Sequence, residues 1–123
     1  MILGLVHAFL TLFTKAMHPT NPEVLALNKS SHSHITKQTT LWASGIGFHL
    51  SHSIGMFIFG LFYFAFANGN PELILSSVIF STAIVFVPLS YLLLSIKYWF
   101  ILPTIGIGLA CVCFILGLVL IST

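Results

Sequence analysis

The sequence predicts an all-α protein, a bundle of four transmembrane helices. Three observations carry that expectation. Hydrophobic residues make up 58% of the 123 positions and charged ones only 5%, where a soluble domain carries roughly 25%. The apolar residues fall into four runs, each too long for a strand and too evenly apolar for a soluble amphipathic helix. The polar residues gather in a single segment near the N-terminus. Four Lys and two Glu cannot cover a water-facing surface, so the apolar flanks need lipid around them.

The first run covers residues 1–17. It has no basic n-region and no small-residue cleavage site before Lys15, so it reads as a retained helix and not as a signal peptide. It is short for a span, which leaves room for a true start upstream of Met1. A polar loop follows over residues 18–40, rich in Asn, Ser, Thr and His. Loops longer than roughly 12–15 residues are often functional. Inside it, Asn21-Pro22-Glu23 followed by Val24, Leu25 and Leu27 predicts a short surface helix: Asn as N-cap, Pro at the first helical position, Glu at the positive dipole end.

The second run, residues 41–67, exceeds the ~20 residues a bilayer requires and is expected to tilt or protrude. Asn68-Gly69-Asn70-Pro71-Glu72 is expected to turn the chain into a third helix over 73–95, with Asn70 as its N-cap. Ile96-Lys97-Tyr98 makes a minimal connection to the fourth, over 98–121. All of it reads as one transmembrane domain, residues 1–123.

Lysine placement orients these spans. Lys15, Lys29 and Lys37 lie in or beside the first loop, Lys97 in the third, and none in the second. Four spans put the first and third loops on one face, and the excess of Lys makes that face cytoplasmic, with both termini outside. Trp42, Tyr98 and Trp99 mark the same inner interface. The expected environment is a bacterial inner membrane. A net charge of +2 without a basic stripe excludes a nucleic-acid partner. The expected partners are the lipid bilayer and either further copies of the chain or another membrane protein.

The chemistry available is narrow. Both carboxylates sit at helix starts, so carboxylate dyads, carboxylate-bridged di-iron sites and a proton-coupling membrane Glu are excluded. No phosphate-cradling glycine loop, HExxH or GxSxG is present. Cys111 and Cys113, two apart on a helix, point about 200° from one another and do not pair. What remains is histidine. His7 in the first run and His49 and His52 in the second fall at similar depths, and His49 and His52 share a face. Neutral imidazole can ligate a transition metal, hold haem iron axially or pass protons. It can equally serve as interhelical glue, and that reading ranks first.

Ser51, Ser53 and Tyr91 are candidates to hydrogen-bond the rings from behind. Gly47, Ser51 and Gly55, each four apart, form a small-residue groove for close helix packing. His32 and His34, with His18 upstream, are weaker candidates for a surface metal, since no Cys or Asp stands near them.

The stretch from Trp42 through Gly47-Phe48-His49-Leu50-Ser51-His52-Ser53-Ile54-Gly55, with His7 before it and Tyr98-Trp99-Phe100-Ile101-Leu102-Pro103 after it, resembles a family. It is a family of small bacterial four-helix membrane proteins, first catalogued in Leptospira-type genomes, with a Gly-Phe-Asn-x-Ser-His-Ser-x-Gly core. The resemblance implies the same fold and no established activity. The family usually has Asn where this chain has His49, which leaves His7 and His52 as the better ligand pair.

Three functions follow in order. The first is a non-enzymatic structural or interaction component of the membrane. The second is a histidine-based redox subunit holding haem, a metal or a quinone. The third is a transporter or channel working as an oligomer, since one small bundle encloses little.

Overall fold

The computed structural model describes residues Met1–Thr123, all of it helix, turn and loop save one isolated bridge. Six helices follow one another: α1 (Ile2–Phe13), α2 (Pro22–Ser30), α3 (Leu41–Gly69), α4 (Glu72–Ser76), α5 (Val78–Tyr98) and α6 (Ile101–Ser122). Three of them, α3, α5 and α6, are long and apolar enough to cross a membrane. Within the most apolar stretch of α6 only 11% of the residues are buried, and Leu102, Leu109 and Leu120 lie exposed along it. Apolar surface left open to this degree needs a hydrocarbon solvent.

The first run is a shorter helix than expected. It stops at Phe13 and not near residue 17. Thr14 leaves the helical region, its hydroxyl donating to Leu10 O at 2.7 Å and accepting from Ala16 N at 3.0 Å. Side-chain hydrogen bonding by Thr offers the backbone an alternative to the helical ladder.

The short loop helix forms where the Asn-Pro-Glu signal puts it. Asn21 Oδ1 accepts from Glu23 N at 2.8 Å, and Pro22 occupies the first turn. The second Asn-Pro-Glu behaves differently. Pro71, not Asn70, precedes the helix, with no side-chain cap, and Asn70 contributes its carbonyl to Leu73 N at 3.2 Å.

The third run is two helices and not one. Ser77 takes extended backbone angles between α4 and α5, and its hydroxyl accepts from Phe80 N as a new N-cap. The last connection also moves: α5 continues through Tyr98 and α6 begins at Ile101.

The chain groups into two compact units, Met1–Gly60 and Leu61–Thr123, with the boundary inside α3. In the second unit α5 and α6 form an antiparallel hairpin across Trp99 and Phe100, with Ile74, Ile84, Ile107 and Cys111 buried. Tyr63 is buried there too, its hydroxyl donating to Phe80 O at 2.7 Å and its ring edge-on to Phe114 at 5.9 Å. Cys111 and Cys113 are both free thiols.

In the first unit α1 runs antiparallel beside α3. Met1 lies against Gly60, Gly4 against Ser53 and Phe57, and His7 against His49 and His52. A Cβ on Gly4 would stand 2.6 Å from Ser53 O and 3.2 Å from Phe57 N, both backbone atoms. Only a residue without a side chain fits at this crossing.

Candidate functional site

Gly4, His7 and Thr11 recur at helical spacing along the face of α1 that meets α3. Gly4 and Thr11 are buried and His7 is partly so. Opposite them α3 presents His49, His52 and the buried Ser53. The three imidazoles therefore meet. His7 Nε2 and His49 Nδ1 lie 3.2 Å apart in a hydrogen bond whose donor is set by the tautomers. The His7 ring stands edge-on to both partners, with centroids 5.2 Å from His49 and 5.9 Å from His52. Phe48 stacks on His52 at 6.3 Å. His7 thus meets both His49, through a hydrogen bond, and His52, the partner the family resemblance favoured, through its ring edge.

The two serines spend their donors on backbone carbonyls. Ser53 Oγ donates to His49 O at 2.8 Å and Ser51 Oγ to Phe48 O at 2.9 Å, both backbone carbonyls of their own helix. Thr11, not singled out from the sequence, does the same to His7 O at 2.8 Å. Each hydroxyl folds back on the preceding turn, the usual way for Ser and Thr to satisfy themselves inside an apolar helix. Tyr91 belongs to α5, in the second unit, and the histidines belong to the first.

The small-residue face of Gly47, Ser51 and Gly55 lies open within this chain. A Cβ added at Gly47 or at Gly55 would meet nothing within 4 Å, and Ser51 is exposed. The close helix crossing that does occur uses Gly4, which the sequence did not announce. A lone glycine in a short apolar run carries no spacing signal.

No three His, Cys, Asp or Glu side chains are grouped to hold a metal ion. In the loop, His32 Nδ1 donates to Thr39 O at 2.9 Å, helping the bridge between His32 and Thr40 close the segment. His34 is exposed. His18 is held edge-on against Trp42 at 4.9 Å, and Lys29 Nζ lies over the same indole at 5.9 Å from its centroid, a cation–π distance.

Below that indole lies a cavity of about 180 Å³. Met17, Leu41, Trp42 and Ile46 supply its apolar wall, and Asn28 and His49 its hydrogen-bonding groups. No charged residue lines it. The cavity thus runs from the polar loop to the histidine that is bonded to His7.

No family model, curated protein or solved structure matches this chain.

Proposed function

We propose that this chain is a small integral membrane component that acts through helix–helix interaction and not through catalysis, its histidines serving first to join α1 to α3. The observation that carries this reading is the 3.2 Å bond between His7 Nε2 and His49 Nδ1, set beside the Gly4 crossing. The two imidazoles are joined across the helix pair through one nitrogen of each ring, and the nearby hydroxyls donate to carbonyls of their own helices. Such a pair works as interhelical glue.

The same reading makes α1, α3, α5 and α6 the helices of a four-helix membrane bundle of the resembling bacterial type. The twelve residues of α1 are short for a span. Yet Met1 lies at Gly60 and His18 at Trp42. Residues 1–18 therefore run beside α3 for about 27 Å at ~1.5 Å per residue, close to the ~30 Å hydrocarbon thickness. The lysine-bearing loops face the cytoplasm and both termini face outward.

The open face of Gly47, Ser51 and Gly55 supplies the interaction, with a helix of a second copy as its partner. Its support is the empty space over both glycines. The test is cross-linking in native membranes. Ser51→Cys, in a chain with Cys111→Ser and Cys113→Ser, is expected to form a disulfide-linked dimer on mild oxidation. Gly47→Leu with Gly55→Leu is expected to abolish it. A chain that stays monomeric, and that purifies with stoichiometric haem or metal lost in His7→Ala, would overturn the proposal.

A further inference from the structure

We infer that the cavity beneath Trp42 binds the head ring of a membrane quinone or of its quinol, with His49 as the residue that hydrogen-bonds the ring oxygen. The site has the right size. A cavity of about 180 Å³ exceeds the ~150 Å³ that accepts a benzene ring, leaving space for small ring substituents. It has the right polarity. Met17, Pro19, Leu41, Trp42 and Ile46 bring apolar and aromatic groups, and Asn28 and His49 bring hydrogen-bonding ones, a mixed wall suited to an apolar ring that carries polar oxygens. The lack of any charged lining residue favours a neutral occupant over a phosphate headgroup.

It also has the right address. Trp42 stands at the loop end of a 29-residue apolar helix, and His49 is seven residues further along, about 10 Å deeper. A lipid-soluble ring can reach this level from the bilayer while its tail remains among lipid chains.

The imidazole pair explains why both oxidation states fit. A neutral imidazole has one donor and one acceptor nitrogen. His7 engages His49 Nδ1, so Nε2 is the ring nitrogen of His49 left for an occupant of the cavity it lines. When His7 donates to Nδ1, Nε2 carries the proton and donates to a quinone carbonyl. When Nδ1 donates to His7, Nε2 accepts from a quinol hydroxyl. Exchange of tautomers between the two rings switches the site from one ligand to the other with no net charge.

The full-length chain in phosphatidylcholine nanodiscs tests this. Trp99→Phe leaves Trp42 as the single indole, and decylubiquinone and its quinol are the probes. The expected result is saturable quenching of Trp42 by the quinone and competition by the quinol with an affinity within about threefold. Gly45 lines the cavity and a Cβ there meets no atom within 4 Å, so Gly45→Leu is expected to fold, to occupy cavity space and to bind at least tenfold more weakly. His49→Phe, which loses one hydrogen bond, weakens binding about tenfold. Quenching that never saturates is partitioning into lipid and overturns the proposal. Equal binding by Gly45→Leu overturns it, as does displacement of the probe by phosphatidylglycerol, which would make this a headgroup site. Should His49→Phe fail to fold, Gly45→Leu decides the question.

Discussion

At the scale of single residues, the first unit turns on Gly4 and His7. Any side chain at position 4 meets backbone atoms of α3 that cannot step aside. Gly4→Val is expected to destabilise the folded state by about 1–3 kcal/mol, read as a lowered midpoint of thermal unfolding in detergent. Gly47→Ala and Gly55→Ala are expected to leave that midpoint unchanged, since their Cβ atoms enter open space. His7→Ala is expected to cost about 0.6–2 kcal/mol, the range for an interhelical hydrogen bond in a membrane. A double-mutant cycle with His49→Ala checks that the cost is shared. Counting residues from the loop brought the three histidines to one depth, because helical rise is fixed. The hydrogen bond between His7 and His49 was not legible. It depends on the rotation of α1 about its axis, set by the Gly4 contact, and hydropathy is blind to rotation.

At the scale of elements, the sequence was readable wherever hydrogen bonding and hydropathy agree. Asn21-Pro22-Glu23 starts α2 because cap, fixed proline φ and acidic first turn all favour one helix start. Asn21→Ala is expected to cost about 1 kcal/mol locally, seen as faster amide exchange at Glu23 with no change in α3. The break at Ser77 was hidden for the opposite reason. An apolar run tells which solvent surrounds a segment and says nothing about where one hydroxyl replaces the ladder. The end of α1 at Thr14 escaped in the same way. In the second unit, Tyr63→Phe keeps the ring on Phe114 and deletes the bond to Phe80 O. It is expected to lower stability by about 0.5–1.5 kcal/mol in the same thermal measurement.

At the scale of the whole molecule, α3, α5 and α6 bury little of themselves and need hydrocarbon around them. Composition alone made that legible, since four lysines and two glutamates leave no other solvent for the rest. The cavity under Trp42 was not legible, because its lining comes from the loop, α2 and α3 together. In the proposed orientation, the lysines of the first loop hold one end of α3 on the cytoplasmic side. Accessibility of the two ends of α3 is the most direct measurement. In chains lacking Cys111 and Cys113, single cysteines at Asn70 and at Lys29 are treated in intact cells with a membrane-impermeant maleimide. The account predicts labelling at position 70 in intact cells and at position 29 only after the membrane is opened. Labelling of both from the same side would contradict it.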